Sequence, residues 1–93
     1  SAVPGRRRVE APLAPTVIPS LLRREVEALP AECRLVSCRG LTVHHATADR
    51  IPHTLREIGR LRERTFRAAG EGTGRGIDLD TFDRHYTHLF LWN

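Results

Sequence analysis

The run from Glu57 to Asn93, EIGRLRERTFRAAGEGTGRGIDLDTFDRHYTHLFLWN, constrains the fold most, because a helical pattern passes directly into three glycines in six residues. Glycine is a poor helix residue and adopts conformations other residues avoid, so the chain must bend across EGTGRG, Glu71 to Gly76. Upstream, ATADRIPHTLREIGRLRERTFRAAG predicts the longest helix, with Asp49 as its cap, Pro52 in the first turn and Gly70 at the end. At about 100° per residue, Ile51, Leu55, Ile58, Leu61, Phe66 and Ala69 share one face. Arg56, Glu57, Arg60, Glu63, Arg64 and Arg67 share the other. Arg62 breaks the pattern by projecting between Ile58 and Phe66, where a guanidinium needs a carboxylate or a ligand to offset its desolvation.

Before this helix, residues 1–20 hold Pro4, Pro12, Pro15, Pro19 and the triplet Arg6, Arg7, Arg8, and read as a linker or tail poorly able to pack. The triplet suits anionic lipid or RNA, but a solvated tail is the simpler reading. Residues 21–93 read as the folded part. Ser20 is a candidate cap for a short helix, LLRREVEAL, in which Leu21, Leu22, Val26 and Leu29 share a face before Pro30. Arg34 to Cys38 and Leu41 to Ala46 are β-rich runs joined by Arg39-Gly40, which predicts a hairpin. After the glycines, Asp80 is placed to cap a short helix from Thr81 to Tyr86, and His88 to Trp92 forms a last strand. The fold class is therefore α/β or α+β.

A chain of 93 residues makes at most one small domain, which buries only about 60–65% of its unfolded surface. No apolar run approaches the roughly 20 residues of a membrane-spanning helix, and no hydrophobic stretch follows the basic triplet as in a secretory signal. These features predict a cytoplasmic protein, at most peripheral to a membrane, with Cys33 and Cys38 as reduced thiols.

All fifteen basic residues are Arg and the net charge is +4, a pattern that codon bias explains more simply than function does. Arg56, Arg60, Arg64 and Arg67 are interrupted by Glu57 and Glu63 and lack interleaved aromatics, which argues against a nucleic-acid surface. Cys33, Cys38, His44, His45, His85 and His88 fit neither CxxC nor HExxH spacing, so packed cysteines and exposed histidines are preferred to a metal site. The glycines follow a helix rather than a strand and lack GxxxxGK[ST], so a flexible connection is favoured over a phosphate cradle. No nucleophile with an attendant base is evident. What remains is Arg62 with Asp80 or Asp83: either a structural ion pair or a polar substrate pocket, since charge networks serve both purposes.

Taken together, LREIGRLRERTFR, GEGTG and DLDTFDRHYTHLFLWN resemble the N-terminal part of the hemolysin-like N-acyltransferases of the GNAT superfamily, related to ornithine-lipid N-acyltransferases and more remotely to acyl-homoserine-lactone synthases. The resemblance covers about the last forty residues closely. The upstream segment is similar in composition to the connector in members with a preceding glycerolipid acyltransferase domain. The resemblance implies an incomplete GNAT-like fold in which Arg62 and Phe66 line the acceptor side of the cleft. It implies that Asp80 and Asp83 bind the acceptor amine or brace Arg62, and that Glu71 lies in a mobile loop of the same cleft, without the aromatic expected there. The implied donor is an acyl-carrier-protein or coenzyme A thioester, whose binding elements follow the matched part of the fold.

The expectation is thus an acyltransferase moving a fatty acyl group to an amine in lipid metabolism, inactive as this segment alone. The abrupt end of the last strand fits a piece of a larger fold, and its apolar edge makes a homo-oligomer plausible. The competing expectation is a small basic interaction or nucleic-acid-binding module in which the Arg-Asp set is structural; steep loss of affinity with salt would mark it.

Overall fold

The computed structural model describes residues 10–77 and 87–93. The arginine triplet, the expected short helix 81–86, and Asp80, Asp83 and His85 lie outside the described residues. The elements are α1 (Pro19–Glu27), β1 (Arg34–Cys38), β2 (Leu41–Thr47), α2 (Pro52–Ala68) and β3 (Thr87–Trp92). The strands form one antiparallel sheet in the order β1-β2-β3. This is the α+β architecture expected, with the hairpin, long helix and final strand in place.

Arg39 and Gly40 make the hairpin turn with φ of 52° and 80°. Two consecutive positive φ values match the right-handed twist of the flanking strands. A bulge between Arg34 and Val36 interrupts the β1–β2 register. Along β2 and β3 the alternation directs His44, Ala46 and Phe90 to the covered face, and Leu89 and Leu91 to the open one. Ala46, Leu29, Cys33 and Ile51 form the core, with Phe90 packed against it.

His44 is buried on this face rather than exposed, its ring stacked on Phe90 with centroids 5.4 Å apart and planes 13° from parallel. Burial, the larger cause, and the Arg34 charge favour its neutral form and hold its pKa below the ordinary value, against a backbone hydrogen bond at Thr42 that raises it. Cys33 lies in a 3-10 turn, Ala31–Cys33, and Cys38 is exposed at the end of β1; both are free thiols.

Neither expected cap operates. α1 starts one residue before Ser20, with Ile18 at the cap position and Pro19 in the first turn, where its missing N–H costs least. Ile51 occupies the cap position of α2 and provides no side-chain hydrogen bond. Asp49 falls too early, in the turn Ala48–Arg50, where the Thr47 side chain is the main cause lowering its pKa.

The first-turn amides of α2 are satisfied from a distance instead: Glu25 of α1 accepts from His53 N at 2.6 Å and Thr54 N at 2.7 Å. A carboxylate there also faces the positive end of the helix dipole. One side chain thus caps α2 and ties it to α1.

The buried line of α2 follows four-residue steps, Ile51, Leu55, Gly59 and Glu63, with Thr54 and Arg60 beside it. Ile58, Leu61 and Phe66 are only half-buried, and Ala69 is exposed. The expected outward placement of Arg60 and Glu63 is therefore overturned. Arg60 is buried because Glu57 receives its guanidinium in two hydrogen bonds, 2.9 and 2.7 Å, while also accepting from Val17 N at 3.2 Å. Arg60 is the first cause of the lowered Glu57 pKa, and Glu57 of the raised Arg60 pKa.

Residues 10–18 also depart from the expectation of an unpacked tail. Val17 is buried, and Ala11 N and Ala14 N each donate at 2.9 Å to Gly74 O and Gly76 O. Pro12 and Pro15 fall in this stretch, and neither has an N–H that would need a partner.

Candidate functional site

The C-terminal half of α2 and the loop after it form the candidate site. Arg62 is exposed rather than lodged in the apolar face, and its guanidinium carbon lies 5.3 Å from the centroid of the half-buried Phe66 ring. That spacing of four residues stacks a cation over an aromatic face on the helix surface. Glu71 is exposed just past the helix end, and its backbone N–H donates at 2.7 Å to Phe66 O. The structure thus brings Arg62, Phe66 and Glu71 to one end of α2. Asp80 and Asp83 lie outside the described residues.

The residue the sequence pattern missed is Glu63. Its side chain is 0% exposed, and its two oxygens receive four hydrogen bonds. Oε1 accepts from Thr73 N at 3.0 Å and Thr73 Oγ1 at 2.7 Å; Oε2 accepts from Arg67 Nε at 2.8 Å and Gly74 N at 3.1 Å. Burial of a carboxylate is costly unless its lone pairs are satisfied, and here they are.

Arg67 carries the network outward, donating through Nη2 to Ala11 O at 2.7 Å and Arg75 O at 2.8 Å. The glycine loop is consequently an anchored bend, not a flexible connection. Its consecutive amides form the kind of concavity that binds anions. The anion is internal: Glu63 occupies the Thr73 and Gly74 donors that a phosphate would need.

The Arg67 hydrogen bond, then those from Thr73 and Gly74, hold the Glu63 carboxyl down from 4.5 to about 2 despite burial, which raises it. A carboxyl depressed on folding contributes stability that is present above its unfolded value and lost as the pH falls through the folded one. We predict that the loop stays attached below pH 4.5 and releases only toward pH 2. An amide NMR titration of Thr73 and Gly74 should show one transition near the lower value; a transition near 4.5 would contradict the clamp.

Among the described residues no three His, Cys, Asp or Glu side chains are grouped to hold a metal ion. No helix among them is long and apolar enough to cross a membrane.

Residues 61–93 match the family model of the acetyltransferase (GNAT) domain, a span containing Arg62, Glu63, Phe66, Glu71 and the glycine loop. Among individual proteins, the glycine N(alpha)-acyltransferase of Bacteroides thetaiotaomicron is 46% identical over 54 residues, covering 55% of this chain and 16% of that protein. The protein of the same name from Phocaeicola vulgatus is 51% identical over 45 residues, covering 45% of this chain and 14% of its own length. The matched segment is thus a small part of either relative. No solved structure matches the chain.

Proposed function

We propose that this chain forms the acceptor side of a GNAT-type N-acyltransferase that moves a fatty acyl group from a coenzyme A or acyl-carrier-protein thioester to the amine of a small amino acid. The observation that carries the reading is the grouping of Arg62, Phe66 and Glu71 at one end of α2, within the residues that match the GNAT domain. The names of the two relatives support glycine as the acceptor.

In this reading the amine nitrogen attacks the thioester carbonyl, the C–S bond breaks, the thiol leaves and the amine loses a proton. Arg62 presents a planar fork suited to the acceptor carboxylate, backed by the Phe66 ring. Glu71, Asp80 and Asp83 supply negative charge for the amine end or brace Arg62. The donor thioester is held by parts of the enzyme other than these residues, so the segment alone is inactive.

The same reading places the enzyme in lipid metabolism in the cytoplasm, peripheral to the membrane where its acyl products partition, in the hemolysin-like, ornithine-lipid acyltransferase group. The outer edge of β3, with Leu89 and Leu91 exposed beside it, is a surface for a second copy.

The test uses the full-length acyltransferase carrying this segment. Arg62→Ala should lower kcat/KM for the amine by about 100-fold or more, with the fold intact because the side chain is exposed. Turnover at the wild-type level in this variant would sink the assignment.

A further inference from the structure

We infer that Glu63 is a positioning residue for amine binding: it clamps the 71–77 loop to α2 and thereby sets where Glu71 stands relative to Arg62 and Phe66. The inference deepens the proposed function and rests on it for the identity of the bound amine. The clamp itself stands on geometry.

Glu71 is fixed from both sides. Before it, its own N–H is tied to Phe66 O; two residues after it, Thr73 is held by its amide and its hydroxyl on Glu63 Oε1. Between them Gly72 lies so close to α2 that a Cβ would stand 2.8 Å from Glu63 Oε2 and 2.5 Å from Arg67 Cγ. The exposed Glu71 therefore sits on a short span whose direction is set by one buried carboxylate that no ligand needs to touch.

Three of the four donors that satisfy the buried carboxylate come from the loop and one from Arg67, so the same group that pairs with Arg67 also fixes the path of the loop. Glutamine at this position keeps the size of the side chain but offers one acceptor oxygen and introduces an NH2 group facing donors. The effect is local: the apolar core of Leu29, Cys33, Ala46 and Ile51 is elsewhere.

The experiment compares wild type and Glu63→Gln in the full-length protein by amide hydrogen exchange and steady-state kinetics with glycine and an acyl thioester. Exchange at Thr73 and Gly74 should accelerate about tenfold or more while α2 amides near Leu55 keep their protection. The KM for glycine should rise about tenfold or more, with the KM for the thioester unchanged.

Unchanged loop exchange overturns the clamp. Faster loop exchange with an unaltered glycine KM overturns the positioning role, as does a parallel change in both KM values with loss of protection throughout α2. If the wild-type protein forms no amide, the functional reading fails separately, and loop exchange still decides the clamp.

Discussion

Alanine at position 72 is expected to lift the glycine loop off α2. The added Cβ would lie 2.5 Å from Arg67 Cγ, 2.8 Å from Glu63 Oε2 and 3.2 Å from the backbone Arg67 Cα. The Arg67 side chain is pinned by Glu63, Ala11 O and Arg75 O, its Cα is backbone, and Glu63 Oε2 is held by Arg67 and Gly74. Relief must come from the loop.

In the full-length protein, Gly72→Ala should raise exchange at Thr73 and Gly74 by about tenfold or more and weaken amine binding by a similar factor, as is expected of Glu63→Gln. Gly40→Ala is the control: its φ of 80° makes a side chain strained, but nothing lies within 4 Å. That variant should cost roughly 1–2 kcal/mol in the hairpin and leave loop exchange unchanged. A Gly72→Ala protein with wild-type loop exchange would show that the close approach is not maintained in solution.

The second large effect is expected at Glu25, which joins the two helices by accepting from the His53 and Thr54 amides. Glu25→Ala leaves both donors at the positive end of α2 without their acceptor. Hydrogen bonds to a charged group contribute about 1.5–3 kcal/mol, and the loss should fall near that range. Urea or thermal unfolding measures it, and Glu25→Gln should fall between alanine and wild type. A cost within about 0.5 kcal/mol, the ordinary range for surface substitutions, would show that water caps the helix equally well.

The hairpin and the long helix were readable from the sequence because their signals are local. Arg39-Gly40 demands a turn with positive φ, and Pro52 and Gly70 bracket a continuous apolar period. The cap of α2 is not readable, since Glu25 reaches it from 28 residues away while Asp49, close by in sequence, has the chemistry of a cap.

Glu63 was hidden for a related reason. Helical periodicity sorts residues by polarity, but the C-terminal half of α2 is covered by a glycine loop whose amides donate to Glu63 and by residues 10–18, whose Ala11 O accepts from Arg67. Polarity alone thus puts Arg62 inside and Glu63 outside, whereas Arg62 is exposed and Glu63 buried. A usable signal was present: a run with three glycines carries many unpaired amides, and a nearby helical acid is a natural acceptor for them.

Acyl transfer by the full-length protein tests the central claim most directly. Glycine and a long-chain acyl-CoA or acyl-carrier-protein thioester, incubated with the wild-type enzyme and followed by mass spectrometry, should yield the N-acyl amino acid and free thiol in equal amounts. Thiol release without amide, or no consumption of the thioester with any small amine, would contradict the account.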